Sequence, residues 1–285
     1  MVVVGARGHI LHSADGRIWH PARVPVDVLL TAVALGPGGL GWAVGHDAVV
    51  LRSTDGGRSW VDVYADAEDS SPLLDVWMDS EGIHGIAVGA YSRYLVTRDG
   101  GRHWAPVPFP VAGAPEAEAD PDALPLDVHL NAIREAPSGA LYLAAEAGHV
   151  FRSDDRGASW MPLPSPYVGS FFGVLPLEDD VVLVFGLRGH LYRSTDGGRH
   201  WARVQTGTQE MLTDGIRLQD GRLLLVGLGG VVLVSRDGGR TFTLRVRPDR
   251  AGLSAVLQRG DGRVFAVGEK GVVELERGWL EGPDR

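Results

Sequence analysis

A chain of 285 residues with 36 acidic and 27 basic side chains, a formal net charge of −9 and no cysteine excludes thiol catalysis, disulfide bracing and Cys-ligated zinc. An acidic surface without a Lys/Arg tract repels a phosphate backbone, which argues against nucleic acid as partner. No apolar run approaches the ~18–20 residues that a membrane-spanning helix needs, so the chain is read as soluble and not membrane-spanning.

From the N-terminus, the chain opens on an apolar triplet, Val2-Val3-Val4, soon followed by Ser-Ala-Asp-Gly-Arg-Ile-Trp at 13–19. That stretch recurs at 53–60, 97–104, 153–160, 194–201 and 235–242, at near-regular intervals apart from a longer gap before Ser153. Between copies lie short aliphatic and β-branched runs bounded by glycine turns, a pattern that favours strands over helices. In the second unit the runs are 28–35, 41–44, 49–52 and 60–64. The third unit gives 73–77, 85–88, 94–96 and 104–107, and the sixth gives 215–218, 223–226, 231–234 and 241–245.

Four short strands per unit, repeated about every 40 residues, predict an all-β fold, a seven-bladed β-propeller of four-stranded antiparallel blades. One propeller domain then covers 1–285. Its first blade is expected to be incomplete, because the chain begins at that blade's second strand. The seventh unit, 253–280, is degenerate and keeps only Glu276-Arg277-Gly278-Trp279 where the motif should stand. The 105–127 insertion, rich in Pro, Ala and acids, is expected to be an irregular surface excursion.

The repeated motif reads as framework. Its glycines permit the positive φ of a tight turn, and its aspartates, Asp15, Asp55, Asp99, Asp155, Asp196 and Asp237, are placed to accept backbone hydrogen bonds across that turn. Five of the eight tryptophans, Trp19, Trp60, Trp104, Trp160 and Trp201, close the motif and are expected to open the fourth strand and lock the hairpin against the blade. Six carboxylates on separate units cannot converge on one substrate, and the turn lacks the further carboxylate of a calcium loop. Arg52, Arg152 and Arg193, just ahead of the motif, read as stems lying along apolar surface.

On these residues the chain resembles the Asp-box, or BNR repeat, proteins, which include sialidases, sortilin-type receptors and xyloglucanases. With Ala-Val-Gly at 43–45, 87–89 and 266–268, the fuller unit is similar to the photosystem II stability and assembly factor family and its relatives in non-photosynthetic bacteria. The resemblance implies a propeller that scaffolds or chaperones another protein.

The loops between second and third strands vary where the motif does not. They hold Arg7, His46, Tyr91, Arg93, Glu146, His149, Arg188 and His190, expected to bind a partner at the face opposite the Asp-boxes. Arg7, Arg93 and Arg188 suit carboxylates on that partner. Thr31, Asp75, Asn131, Thr213 and Ser254, with Phe172, are expected to line the channel mouth. The competing reading is a glycoside hydrolase of sialidase type, with Arg7, Arg93 and Arg188 as an arginine triad beside Glu146 and Tyr91. Against it, the sequence Arg17-Ile18-Trp19 belongs to an Asp-box and Asp75 is the one acid at the channel, where hydrolysis needs two carboxyls or a Tyr/Glu pair. The histidines show no HxH or HxxxH spacing for a metal, and no glycine loop on a strand-to-helix turn cradles phosphate. The expectation is a non-enzymatic, monomeric protein-binding propeller without cofactor or metal. The N-terminus lacks a basic and then apolar leader, which points to the cytoplasm if Met1 is the natural start and to the periplasm or secretion if the chain is a mature form.

Overall fold

The computed structural model describes residues 1–66, 68, 70–112 and 127–281. Every sheet is an antiparallel meander, and together the sheets make a seven-bladed propeller. Blade 2 consists of Leu30–Leu35, Gly41–Gly45, Val50–Ser53 and Val61–Tyr64, and blade 3 of Leu73–Met78, Gly85–Gly89, Tyr94–Thr97 and Ala105–Pro106. Blade 4 runs Leu130–Glu135, Leu141–Ala145, Val150–Ser153 and Met161–Pro162. Blade 5 runs Phe171–Pro176, Val182–Gly186, Leu191–Ser194 and Ala202–Val204, and blade 6 runs Leu212–Arg217, Leu223–Gly227, Val231–Ser235 and Thr243–Val246.

The first and last blades have three strands each: Val2–Val4, Ile10–His12 and His20–Pro21 in blade 1, and Leu253–Gln258, Val264–Gly268 and Gly271–Leu275 in blade 7. In place of a fourth strand, blade 7 has a short helix, Arg277–Glu281. Its Leu280 is buried in the blade's apolar cluster and Trp279 packs against it, so the helix supplies the apolar cover without pairing with the sheet. By contacts the chain divides into two compact units, Met1–Ile133 with Ser153–Met161 and Arg134–Arg152 with Pro162–Arg285, the boundary running through blade 4.

Second strands are the most deeply buried, with all five residues of Gly41–Gly45, Gly85–Gly89, Leu141–Ala145, Val182–Gly186 and Leu223–Gly227 inside. Apolar clusters span neighbouring blades. Trp42, Val44 and Val50 of blade 2 pack with Leu73, Val76, Ala87 and Leu95 of blade 3. Leu183, Phe185 and Leu191 of blade 5 pack with Leu223, Leu225 and Leu233 of blade 6. A four-stranded sheet exposes two apolar faces, and burial of each against the next blade is the main stabilising term.

The Asp-box turns follow from the residue types. Asp55 Oδ1 accepts hydrogen bonds from the amides of Arg58 (2.9 Å) and Ser59 (2.9 Å), and Ser53 Oγ accepts one from Gly57 N (3.0 Å). The same pattern recurs with Asp99 and Thr97 and Asp237 and Ser235, and with one amide on the carboxylate at Asp155 and Ser153 and at Asp196 and Ser194. The first box is one residue shorter and closes earlier, with Ser13 Oγ accepting from Gly16 N at 2.8 Å. Every box carboxylate is thus an acceptor for the turn that carries it.

The tryptophan does not open the fourth strand as expected. Strands begin one residue later, at Val61, Ala105, Met161 and Ala202. In two boxes the Trp amide is committed elsewhere: Trp60 donates to Arg23 O (2.9 Å) and Trp160 to Pro110 O (2.8 Å), beside parallel bridges of Arg23 with Ser59 and of Val111 with Trp160. Trp60, Trp104 and Trp160 are buried, whereas Trp19 and Trp201 are half-buried. Arg52 and Arg193 do more than cover apolar surface. Their Nε atoms donate to the box carbonyls of the following blades, Arg52 to Gly100 O (2.7 Å) and Arg193 to Gly238 O (2.9 Å), and Arg152 lies over the Tyr142 ring. Of the 105–127 insertion, 113–126 fall outside the described residues. Its start is anchored rather than free, with Phe109 packed against Tyr94 and Trp160.

The glycine of the Ala-Val-Gly signature has a steric cause. A Cβ on Gly45, Gly89, Gly186, Gly227 or Gly268 would lie 2.2, 2.3, 2.4, 2.2 or 2.0 Å from the carbonyl oxygen that precedes the same blade's first strand. Gly5, at the corresponding place in blade 1 where that strand is missing, would meet nothing within 4 Å. Gly89→Ala should therefore cost about 1–3 kcal/mol in urea unfolding, and Gly5→Ala less than about 0.5 kcal/mol. Equal losses would contradict the steric cause.

A second outcome follows from the boxes. The Asp15 carboxyl is brought down to about 2 by the Ile18 and Arg17 amides. At Asp237 partial burial works the other way but is outweighed by the Thr241 and Ser235 hydrogen bonds, again to about 2. Hydrogen bonds from Ser59, His103 and His200 lower Asp55, Asp99 and Asp196 in the same way. A carboxyl with a depressed folded pKa stabilises fully above its unfolded value and loses that contribution as pH falls towards the folded one. The urea midpoint should stay level down to about pH 5 and fall between about pH 4 and 2. Asp15→Asn with Asp237→Asn should shallow that fall, and an unchanged slope would contradict the assignment.

Candidate functional site

Second and third strands are joined by one repeated hook. Its first residue donates its amide to the carbonyl that precedes the blade's first strand: His46 to Leu29 (2.8 Å), Ala90 to Pro72 (2.9 Å), Leu187 to Ser170 (3.2 Å), Leu228 to Met211 (2.9 Å) and Glu269 to Gly252 (3.0 Å). These are the same carbonyls that exclude a Cβ from the preceding glycine. In the first six blades the fourth residue closes the turn onto the first, as His9 does on Ala6, Arg93 on Ala90 and His190 on Leu187.

Between them the second residue is left-handed: Arg7 (φ 55°), Asp47 (56°), Tyr91 (53°), Ala147 (53°), Arg188 (55°) and Gly229 (63°). A left-handed conformation costs a residue with a side chain about 1–2 kcal/mol. Five of these six apexes nevertheless carry one. Arg7, Asp47, Ala147 and Arg188 are exposed, and Tyr91 is 62% exposed with its ring edge-on to His129 at 5.1 Å.

The hook sorts the residues that the sequence singles out. Arg7, Tyr91 and Arg188 are apexes. His46 and Glu146 are first residues, His46 exposed and Glu146 half-buried. Arg93, His149 and His190 are fourth residues and turn back onto the protein. Arg93 is not an available arginine. It forms an ion pair with Asp66 and donates to Tyr64 Oη at 2.8 Å, its side chain 12% exposed. His149 stacks on Phe151 (5.9 Å). His190 packs against Tyr167 (4.1 Å), beside Tyr192 and Phe171. Burial, reinforced by the charges of Arg203 and Arg188, lowers the His190 pKa from its ordinary value. Asp47 and Ala147 share the apex position and Arg203 borders the His190 cluster; aligning the loops on the glycine that precedes them would have found Asp47 after Gly45, while blade 4 has Ala145 at that place.

Of the residues assigned to the channel mouth, Thr31, Asp75 and Thr213 are engaged with the framework. In blades 2, 3, 5, 6 and 7 the first strand has one residue skipped by the ladder, namely Thr31, Leu74, Phe172, Thr213 and Ser254. Thr31 Oγ1 is within hydrogen-bond reach of Val44 O (3.1 Å) in its own blade and Leu73 O (2.7 Å) in the next. Thr213 Oγ1 repeats this with Val226 O (3.2 Å) and Leu253 O (2.8 Å). Ser254 is exposed and Asn131 half-buried.

Asp75 belongs one step later than expected, since Leu74 is the skipped residue and Asp75 pairs with Val88. It is buried, and its two oxygens accept from Val76 N (2.9 Å) and, in the next blade's first strand, Ile133 N (2.9 Å). Asp214 stands at the matching place in blade 6, accepting from Val256 N at 3.0 Å and 3.4 Å from Arg134 Nη2. The one acid that a glycosidase reading had at this position is thus engaged by backbone amides. Among the described residues no group of three or more His, Cys, Asp and Glu is placed to hold a metal ion, and no helix is long and apolar enough to cross a membrane.

Residues 11–171, more than half of the chain, match the family described as "Photosynthesis system II assembly factor YCF48". No curated protein matches the sequence. Among solved structures, YCF48 bound to D1 peptide is 18% identical with a TM-score of 0.74, over 96% of this chain and 86% of that one. YCF48 from Cyanidioschyzon merolae is 18% identical with a TM-score of 0.71, over 96% and 91%. The WD40 propeller domain of Doa1 is 11% identical with a TM-score of 0.70, over 98% and 90%. At these identities the likeness is one of fold.

Replacing Asp75 with Ala leaves two buried amides without an acceptor and should cost about 2–4 kcal/mol of stability, measured by urea unfolding. A change below about 0.5 kcal/mol, the ordinary surface value, would return Asp75 to the list of available acids.

Proposed function

The chain belongs to the photosynthesis system II assembly factor YCF48 family, and from that premise we propose that it is a non-enzymatic propeller that binds an acidic peptide segment of a partner protein through its second-to-third-strand turns. The observation that carries this reading is the contrast between the two ends of a blade. At one end the Asp-box repeats both geometry and residue type. At the other a fixed hook geometry displays Arg7, Asp47, Tyr91, Ala147 and Arg188 at strained, exposed apexes. Variable side chains on a constant backbone are what a recognition surface needs, and rigid turns lose little entropy on binding.

Charge gives the direction of the preference. Neither Arg7 nor Arg188 has a hydrogen bond or ion pair among the described residues, so both guanidiniums are available in a chain whose net charge is −9. Guanidinium forks favour carboxylates. YCF48 in a related structure is bound to a D1 peptide, which supports a peptide as the occupant. The hydrolase reading loses Arg93 to Asp66 and Asp75 to backbone amides.

Fluorescence anisotropy with a labelled D1 peptide and with a poly-glutamate peptide tests the reading. Arg7→Glu with Arg188→Glu should weaken capture of at least one of them by about tenfold or more without moving the melting temperature, as loss of charge-assisted contacts implies. Arg93→Glu is unsuitable because it breaks the Asp66 pair. No binding to either peptide, or binding indifferent to the double reversal, would remove the proposal.

A further inference from the structure

The fourth Asp-box breaks the rule of its siblings. It reads Ser153-Asp154-Asp155-Arg156-Gly157, with Arg156 at φ 58° where the other boxes hold Gly16, Gly56, Gly100, Gly197 and Gly238 at φ 69–77°. Five boxes use glycine because a left-handed residue with a Cβ is strained. A departure from a local rule in an otherwise regular repeat points to a gain elsewhere.

Arg156 borders a cavity of about 310 Å³ between blades 3 and 4, lined by His84, Val96, Arg98, Asp155, Gly157 and Ala158. Three cationic or potentially cationic groups meet there. Arg156 Nη1 is 3.7 Å from Oδ2 of Asp79, whose side chain is 3% exposed, and Asp79 Oδ1 is already taken by the Ile83 amide at 2.8 Å. Arg98 has no hydrogen bond or ion pair among the described residues. The His84 ring is fixed edge-on against Trp77 at 5.6 Å, and burial lowers its pKa. The Asp155 carboxylate is spent on its own turn. Among the described residues, Arg98 is thus the lining guanidinium with no carboxylate within ion-pair distance, whereas Arg156 already has Asp79.

We propose that this cavity is a carboxylate-binding site, with Arg98 and Arg156 gripping the anion and the His84 imidazole bounding it. Val96 and Ala158 would flank the carbon chain that bears it. The site lies at the Asp-box end of its blades and is independent of the peptide surface proposed above. A free organic acid and an acidic side chain present the same chemistry, so the test carries both.

The full chain is titrated with acetate, with acetyl-Ala-Glu-Ala-amide and with its Gln counterpart, following the His84 ring and arginine Nε–H signals by NMR. Saturable shifts are expected with acetate, the Glu tripeptide or both, and none with the Gln tripeptide. Arg98→Ala and Arg156→Gly should each weaken binding by about tenfold or more, as removal of one charge-assisted contact implies. Arg156→Gly restores the residue of the other boxes and should fold; if it melts early, Arg98→Ala decides. Tighter binding of the tripeptide than of acetate identifies a peptide source, and the reverse a free acid. No saturable shift, or shifts that survive both substitutions, would overturn the site and leave Arg156 as a counter-ion for Asp79 alone.

Discussion

The structure depends on hydrogen bonds that leave one blade and end on the next. A four-stranded antiparallel sheet satisfies its own ladder but holds no position relative to a neighbour, and apolar packing between faces is non-directional. Here the register between blades is set by polar groups on inner strands and at the boxes. Thr31 and Thr213 hydroxyls contact carbonyls in two blades. Asp75 and Asp214 accept an amide from the following blade, and Arg52 and Arg193 donate to its box carbonyl. Each buried group is satisfied only if the next blade sits correctly, so satisfaction and register are the same requirement.

Those ties decide where recognition can reside. Residues drawn into them, Asp75 among them, cannot also serve a ligand without leaving backbone amides unpaired. The hook turns are bound to the framework by a backbone amide to the carbonyl ahead of the first strand, and the side chains that fold back onto it, Arg93, His149 and His190, come from the fourth residue and not from the apex. Their apex side chains are therefore free of structural duty, and Arg, Asp, Tyr and Ala can succeed one another there without disturbing the fold. Arg156 is the exception that borders a cavity at the other end of the blade.

Much of this was legible in the sequence because it depends on spacing. The six boxes, the Ala-Val-Gly glycines and the three-stranded first blade are visible as repeats, and the structure adds their causes, a carboxylate holding its turn and a carbonyl where a Cβ would stand. In the channel ring Asp75 was placed one residue off, for a physical reason, whereas Thr31, Phe172, Thr213 and Ser254 share the skipped position. One residue in the first strand is skipped by the ladder, Leu74 in blade 3 and Thr31 in blade 2, and a bulge leaves no mark in an alternating apolar pattern. Arg93 was grouped with Arg7 and Arg188 by residue type. Counting from the preceding glycine separates them, because position in the hook decides whether a side chain is displayed or folded back. Its pairing with Asp66, across an inter-blade connection, has no sequence signature at all.

The central claim is a division of labour, with Asp-box ends holding the propeller together and hook apexes binding. Saturation mutagenesis of the six box aspartates and of Arg7, Asp47, Tyr91, Ala147 and Arg188, scored once by protease resistance and once by capture of an acidic peptide, tests it most directly. The account predicts that box substitutions lower protease resistance, and capture only in proportion, while apex substitutions change capture and leave resistance intact. Capture that is lost at folded box variants and indifferent to every apex would contradict it.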